Sequence, residues 1–394
     1  MDIIYRDFIQ LLRSFVSGTE PKISNAADWD KLLLLSKIHS VRGILGYLNK
    51  QYHFPIDERY KKILEDSFAS TAVQSVNKEH QMEKLIGRLT AENIDHLLFK
   101  GYVVKRFYPL PELRTFGDID FIIRPEDRNK SHQLMFRLGY QPEADFGEVF
   151  VYSKGIEHYE IHTGIMTINV SGRSQTIDYF QNPWKQAQLK QGCTYEFTPE
   201  YHLIYLICHI AKHMSGHGAG IRMYLDIALF LKYYEGQLDW EYIKTEMLKL
   251  NLEQFLNTVL YAVQIWFGMV APIVIEPVEE GVFKEFQNYT LSAGVFGFQN
   301  REVGLYRIRK QISQGKKYAK SSAFITRLFP SASSIESRYT FLKNKHWLLP
   351  VAWVVRFFVT YKDAKKNVKE LKGIASADSN EAERINKILE KIGL

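Results

Sequence analysis

The sequence contains little cysteine and proline, and no long apolar run. Only Cys193 and Cys208 occur among 394 residues, without the Cys-x-x-Cys pairing typical of zinc or redox sites. This excludes a disulfide framework and favours a reduced, cytoplasmic location. Twelve prolines and 24 glycines exclude collagen-like and low-complexity chains. The first residues lack the apolar core and cleavage site of a secretory signal, so we predict a folded cytoplasmic protein.

The most apolar stretch, residues 347–361, is interrupted by Pro350 and Arg356 and is shorter than the about 20 residues that a membrane span needs. It predicts a buried or interfacial helix, so we expect no transmembrane segment, while peripheral membrane contact stays open. Lysine and arginine number 51 against 44 acidic residues, for a net charge of +7. This excess favours an anionic partner, and nucleic acid is compatible with it but not specifically indicated.

Four regions follow from the hydrophobic periodicity. Residues 1–93 have apolar residues at helical spacing and carry no chemical motif, residues 94–198 contain short apolar runs typical of strands, and residues 199–270 return to helical spacing. Residues 271–394 are predicted to be a basic helical region, with lysine-rich segments at 306–320 and 361–373. The expected fold class is α+β, with a small mixed sheet between N-terminal and C-terminal helices.

The Asp-x-Asp motif at Asp118 and Asp120 carries the sharpest chemistry. Side chains alternate along a strand, so these two carboxylates should share one side while Ile119 and Phe121 enter the core. Paired carboxylates suit Mg²⁺, with Mn²⁺ as a second option. The structural alternative is a pair of solvated acids on an edge strand.

A second strand supplies a third acid. Glu160 alternates with apolar neighbours and shares its face with His158 and His162, a polar stripe that a buried sheet has little reason to hold unless it faces a site. Upstream, Lys100 and Gly101 close a strand and open a predicted helix, where backbone N–H groups favour phosphate. The catalytic and metal-binding residues predicted here are therefore Asp118, Asp120 and Glu160.

The segments FKG at 99–101, LRTFGDIDFIIR at 113–124, YEIHTGI at 159–165 and LIYLICHIAKHM at 203–214 resemble the bacterial "uncharacterised nucleotidyltransferase" family of the DNA polymerase β-like superfamily. The resemblance covers about residues 95–235, with weaker echoes at 26–48 and 328–356. It implies a polymerase β-like sheet, and it places the metal-binding acids at the three positions given above. It also implies nucleotide-binding roles for a further set of residues, namely Lys100, Gly101, Arg114, His162, Lys212 and His213.

The chain departs from the superfamily pattern at its nucleotide-binding turn. The superfamily usually has Gly-Ser where this sequence has Lys100-Gly101-Tyr102, and the spacer to Asp118 is slightly long. Lys100 offers a charged substitute for the missing serine.

One helix, residues 202–214, places His209 and His213 four residues apart. No glutamate follows the first histidine and no third ligand has suitable spacing, so zinc is not favoured. Arg222 and Asp226, also four apart, are expected to form a structural ion pair on one helix face.

The function expected from these features is Mg²⁺-dependent transfer of a nucleoside monophosphate from an NTP to an unidentified, anionic acceptor, with pyrophosphate release. A non-catalytic module that binds nucleotide or a partner on the same scaffold is the first alternative. An Asp-x-Asp glycosyltransferase is the second, but it requires alternating strands and helices before the motif, whereas the residues before 94 have a helical pattern.

Overall fold

The computed structural model describes residues 2–24, 27–115, 117–172, 174–294, 302–336, 339–342, 344–359 and 364–394. The chain is α+β, as predicted, with a seven-stranded mixed sheet and helices on both sides of it in the sequence. The assignment of residues 1–93, 94–198, 199–270 and 271–394 to four regions stays a prediction.

Four helices precede the sheet, which confirms the helical pattern of the first 93 residues. The side chain of Asp2 accepts a hydrogen bond from the backbone of Ile4 at the start of the first helix, and Gly18 ends that helix with φ 76°. The four helices are α1 (Ile3–Ser17), α2 (Trp29–Ile38), α3 (Arg42–Tyr52) and α4 (Glu58–Ala91).

The sheet has the strand order β3-β4-β5-β2-β1-β7-β6. Its strands are β1 (His96–Leu98), β2 (Ile119–Ile123), β3 (Gln141–Asp145), β4 (Val149–Lys154), β5 (Glu157–His162), β6 (Ala187–Gln191) and β7 (Thr194–Phe197). Strands β2 and β5 run parallel, as do β1 and β7, and the other neighbours are antiparallel. Three helices connect the strands, namely α5 (Lys100–Val104), α6 (Arg128–Arg137) and α7 (Thr176–Tyr179).

The strands that the sequence predicts at 97–101, 118–124, 148–153 and 156–165 are present as β1, β2, β4 and β5. Strands β3, β6 and β7 were not predicted. Strands β3 and β6 lie at the two edges of the sheet, where most of their residues are exposed. Edge strands that bury neither face lack the period-two hydrophobic alternation by which a strand is recognised.

Eleven helices follow the sheet in the described part of the chain. They are α8 (Pro199–Ser215), α9 (Ile221–Tyr233), α10 (Trp240–Lys249), α11 (Glu253–Phe267), α12 (Glu280–Ala293), α13 (Glu302–Ser313), α14 (Ala319–Leu328), α15 (Ala332–Ile335), α16 (Leu349–Val359), α17 (Ala364–Ser376) and α18 (Ser379–Lys391). Among the described residues, none of these helices is both long and apolar enough to cross a bilayer.

One large hydrophobic core joins the N-terminal helices, the sheet and helices α8 to α12. The last helix, α18, returns to this core through Ile385, Ile388 and Leu389. Two small clusters lie apart from it, one between α13, α14 and α17 and the other around α16. The sheet that carries the predicted acids is therefore held inside the large core.

Candidate active site

The site forms where the parallel strands β2 and β5 lie side by side. Their register pairs Asp120 with Glu160, so both carboxylates stand on the same face of the sheet. His162, two residues further along β5, has its Nε2 2.9 Å from Asp120 Oδ1 and 3.7 Å from Glu160 Oε2. In the described residues, these three form the one acid and histidine cluster able to hold a metal ion, with their ligand atoms within 4.8 Å of one another.

Lys100 contacts this cluster from the turn between β1 and α5. Its Nζ lies 2.6 Å from Asp120 Oδ1. The backbone of Lys100 has φ 50°, in the left-handed region that lysine seldom adopts. Such strain persists where the surroundings over-determine it, and here a buried β1, the following Gly101 and the ion pair all fix the turn.

The charges of Lys100 and Asp120 stabilise each other. Burial opposes the charged form of Lys100, but the adjacent carboxylate outweighs it and raises the pKa of the ammonium. Burial would likewise raise the pKa of Asp120, yet the charge of Lys100 and the hydrogen bond from His162 hold that pKa well below its usual range. Asp120 is therefore ionised at neutral pH.

Glu160 behaves in the opposite way. Burial and the negative charge of Asp120 raise the pKa of Glu160 to about 7, although Lys100 partly opposes the shift. Asp118 also contributes to this rise, so its charge lies within electrostatic reach of Glu160. A crowded pair of carboxylates with divergent pKa values is typical of sites that bind cations or move protons.

Asp118 lies outside the strand that was expected to contain it. Strand β2 begins at Ile119, and the side chain of Asp118 is exposed in the loop before it. The three residues that share one point are therefore Asp120, Glu160 and His162, and Asp118 is not among them. The role of Asp118 as a metal ligand stays a prediction. As an exposed loop residue, it would have to approach a bound ion from the solvent side of the cluster.

Arg114 is buried against Asp226 of helix α9 instead of being exposed in a surface loop. Its guanidinium is buried, with Nη2 2.8 Å from Asp226 Oδ2, and the hydroxyl of Tyr108 donates to the same carboxylate at 2.7 Å. The expected pair between Arg222 and Asp226 is wrong, since Arg114 takes that carboxylate and Arg222 donates to Thr115 Oγ1 at 2.7 Å. In this arrangement Arg114 fixes the loop that leads into β2, and its proposed contact with nucleotide stays a prediction.

Helix α8 brings a second cation to the acidic cluster. Lys212 is mostly buried and, among the described residues, has no hydrogen-bond or ion-pair partner. Burial and the charge of Lys100 lower the pKa of Lys212, while Glu160 and Asp120 oppose this shift, which places its ammonium within reach of all three groups. An unpaired cation beside two acids and a lysine suits the charge pattern of a triphosphate with its metal.

The histidines of α8 pack edge to face against each other instead of forming a metal site. The rings of His209 and His213 lie 4.6 Å apart, and Tyr205 stacks on His209. Burial, aided by Lys212 and Lys100, lowers the pKa of His213 to about 4. His213 is therefore neutral at physiological pH, so a contact with nucleotide would have to be a hydrogen bond and not an ion pair.

Two residues near the site were not anticipated. Lys78 of α4 donates to the carbonyl oxygen of Gly117, and Asp118 affects its pKa, so the N-terminal helices are not free of site residues as expected. Tyr205 of α8 lies close enough to Lys100 for each to affect the pKa of the other. No local pattern could have identified either residue, because a lysine and a tyrosine on amphipathic helices are common and only the packing selects these two.

The match to a family comes from comparison with known proteins. The profile of the family described as "Uncharacterised nucleotidyltransferase" matches residues 25–268, which include the whole sheet and helices α8 to α11. The chain therefore belongs to this family, and the Asp120, Glu160 and His162 cluster lies within the matched range. The echo at residues 328–356 lies outside the matched range. Neither the curated proteins nor the solved structures gave a match.

Proposed function

We propose that the protein transfers a nucleoside monophosphate from an NTP to the hydroxyl of an acceptor and releases pyrophosphate. One observation carries the proposal. In a chain of the nucleotidyltransferase family, Asp120 and Glu160 lie in register on parallel strands, with Lys100 Nζ 2.6 Å from Asp120 Oδ1. Two carboxylates that can hold a metal ion thus lie next to a lysine that can bind phosphate, which is the combination of charges that phosphoryl transfer requires.

The residues of the cluster fit a divalent metal ion. Two carboxylates and an imidazole present ligand atoms within 4.8 Å, and Nδ1 of His162 is buried without a partner in the described part of the chain. We propose that Asp118, Asp120 and Glu160 hold Mg²⁺, and His162 makes Mn²⁺ an alternative. The ion would supply positive charge that orients the triphosphate and lowers the pKa of the acceptor hydroxyl.

The chain's own residues supply the remaining chemistry. Lys100 and Lys212 neutralise the charge that develops on the leaving pyrophosphate while the acceptor oxygen bonds to the α-phosphorus. The proton that the hydroxyl loses passes to solvent, because Glu160 stays ionised as a ligand of the ion. The Gly101 turn contributes backbone N–H groups at the start of α5, and His162 and His213 line the nucleotide side.

The test is NTP turnover by the purified full chain. Pyrophosphate release is measured with each NTP, with Mg²⁺ or Mn²⁺, in the presence of a bacterial cell extract depleted of small molecules as the source of acceptor. Asp120→Asn should reduce release roughly 100-fold or more, because it removes the carboxylate that pairs with Lys100 and would hold the metal ion. The matched control is Glu126→Gln, an exposed acid just beyond the other end of β2.

A label on the α-phosphate then reports where the nucleotide goes. Transfer of label to a component of the extract by the parent chain, and not by Asp120→Asn, supports the proposal. Equal pyrophosphate release by the parent and Asp120→Asn would contradict it.

A non-catalytic nucleotide-binding module is favoured by one feature of the site. The ammonium of Lys100 forms an ion pair with Asp120 and already neutralises one of the carboxylates proposed to bind the metal ion. In that case an NTP should raise the melting temperature without any release of pyrophosphate, and it should do so equally with and without a divalent metal. This result would replace the enzyme by a nucleotide-binding module.

A further inference from the structure

The positive charge of the chain is concentrated outside the family match. Residues 303–362 contain twelve lysines and arginines and a single acidic residue, Glu336. This excess is larger than the +7 of the whole chain, so the remaining residues are net negative. Arg309 is buried, and Arg307 and Arg327 pair with Glu370, so the other basic residues of the segment are the ones that can attract an anionic surface. Their attraction extends over the Debye length of about 8 Å at physiological salt.

The same segment exposes large apolar side chains in helical rows. On α14 and directly after its last residue they are Ile325, Leu328 and Phe329, between about 47% and 60% exposed. At and after the turn before α16 they are Trp347, Val351 and Val354, with Trp347 77% exposed. Spacings of three and four residues place each row on one helix face.

The two helices meet at the end of α14. The ring of Phe329 lies 5.1 Å from that of Trp353, and Arg356 donates to the carbonyl oxygen of Leu328 at 3.2 Å. Ala352, on the other side of α16, is fully buried in the small cluster with Leu342. Helix α16 therefore packs against the small cluster through one face, and its exposed apolar row lies on the other face. We call the two rows the α14–α16 surface.

Charged and aromatic groups accompany the α14–α16 surface. Lys316 and Lys317 are exposed just before α14, next to Tyr318, which is 72% exposed. Lys345 and His346 are exposed directly before Trp347. Valine and leucine with tryptophan and tyrosine at their ends, and lysines around them, are the composition of segments that lie in the plane of a membrane interface.

We propose that the α14–α16 surface binds the surface of an anionic membrane, with α16 lying in its plane. With eleven residues at about 1.5 Å each, α16 is too short to span the bilayer. Nucleic acid fits less well, because its phosphates gain nothing from exposed valine and leucine. A second copy of the chain fits less well too, because like-charged segments would face each other.

The test uses the full chain and sedimentation with lipid vesicles. One set is a mixture of phosphatidylcholine and phosphatidylglycerol, and the other is phosphatidylcholine alone. We expect binding to the anionic set, weaker binding to the neutral set, and a further decrease as salt rises. Absence of binding to the anionic vesicles overturns the proposal.

Three variants separate the apolar and electrostatic contributions. The double variant Trp347→Ser and Val351→Ser should weaken vesicle binding about tenfold or more, because it removes buried apolar area. The double variant Lys316→Gln and Lys317→Gln should weaken it about fivefold per lysine that lies at the surface. The matched control is Val73→Ser with Val76→Ser, two exposed valines of α4. An equal loss in the control overturns the proposal.

Two further measurements distinguish the other occupants. Trp347→Phe should keep vesicle binding but lose most of the fluorescence quenching by brominated lipid, which reports contact of the indole with the acyl region. Binding to single-stranded RNA that exceeds vesicle binding and is lost in the lysine variant but not in the Trp347 variant would overturn the proposal in favour of nucleic acid. A dimer in sedimentation velocity that is lost with Trp347→Ser would overturn it in favour of self-association.

Discussion

Two regions of the chain differ in how their charged residues are arranged: residues 2–294, which hold the acid cluster and which we call the catalytic region after the proposed function, and residues 302–394, the C-terminal region. In the catalytic region, ionic groups are buried and paired across different elements, as Lys100 is with Asp120 and Arg114 with Asp226. In residues 303–362 of the C-terminal region, basic groups greatly outnumber acids, and large apolar side chains are exposed beside them. Buried ion pairs hold side chains in one arrangement, whereas a surface with an excess of one charge favours binding to a partner of the opposite charge.

The two regions are nevertheless connected. The guanidinium of Arg309 on α13 is buried and donates to the carbonyl oxygens of Ser215 and Gly216 at the end of α8. Helix α8 carries Lys212, so the C-terminal region contacts the helix that contributes to the site. The predictions below separate what each region contributes.

The largest expected effect is the loss of the buried ion pair in the catalytic region. Asp226→Leu leaves the Arg114 guanidinium buried without its partner, which should reduce the free energy of unfolding by about 3 to 5 kcal/mol. Denaturant unfolding measures the change. Combining it with Arg114→Met should recover most of the stability, since both charges are then absent.

The matched variant in the C-terminal region is Arg307→Met. Arg307 contacts Glu370 at 3.1 Å and is about a third exposed, and Arg327 also holds that carboxylate. We expect a loss of about 1 kcal/mol or less. If Arg307→Met reduced the free energy of unfolding as much as Asp226→Leu, the ion pairs of the two regions would not differ in their contribution to stability.

Acid sensitivity should also originate in the catalytic region. His39 is fully buried; its Nδ1 accepts from the backbone of Ile221 at 3.3 Å, and Nε2 donates to the carbonyl oxygen of Leu291 at 3.0 Å. Burial lowers the pKa of His39 to about 4, although the bond to Leu291 partly opposes this. The unfolded chain, with a histidine pKa near 6.5, therefore binds the proton first as the pH falls.

The stability that His39 contributes is complete above pH 6.5 and is lost as the pH falls towards 4, by about 3 kcal/mol. His39→Gln should flatten the dependence of the unfolding free energy on pH over this interval. The control is His346→Gln, an exposed histidine of the C-terminal region. An unchanged slope in His39→Gln would show that another group governs acid unfolding.

Glycine contacts provide a similar pair of variants with smaller effects. A Cβ added at Gly46 of α3 would lie 2.2 Å from the carbonyl oxygen of Leu64, and one at Gly304 of α13 would lie 2.2 Å from that of Gly373. Each alanine substitution should cost about 1 to 3 kcal/mol. Gly87→Ala, with no atom within 4 Å, should stabilise by about 0.5 to 1 kcal/mol.

The location of the damage distinguishes the two variants. Gly46→Ala should lower the stability of the catalytic region and its NTP binding together. Gly304→Ala should increase hydrogen exchange in α13 and α17 and leave NTP binding unchanged. Loss of NTP binding in Gly304→Ala would show that the two regions fold as one unit.

The last expected effect is on nucleotide binding instead of stability. Lys212→Met removes a cation that has no partner among the described residues and lies within electrostatic reach of the acid cluster, so it should raise the apparent Kd for NTP about tenfold, since one charged contact with phosphate is lost. Isothermal titration measures this change. Lys317→Met, in the C-terminal region, is the control and should leave the Kd unchanged. If both variants raised the Kd equally, Lys212 would affect NTP binding only through the net charge of the protein.

Local pattern was sufficient for much of the site and for its central strands. Polar and apolar residues alternate along β5, so the pattern placed Glu160 and His162 on one face, and the same parity placed Asp120 of β2 opposite to Ile119 and Phe121. It misplaced Asp118 by one position, since the start of a strand depends on hydrogen bonds to its neighbours. Edge strands β3 and β6 were missed because they bury neither face.

What the sequence by itself determined is therefore the α+β class, the acid motif, and the basic character of the C-terminal residues, because periodicity and composition are local properties. The tertiary structure alone decided that Lys100 pairs with Asp120, that Asp226 pairs with Arg114 instead of Arg222, and that Lys212 has no partner within the described part of the chain. These choices join residues far apart in the chain. The geometry and burial that select one partner over another exist only once the elements are packed.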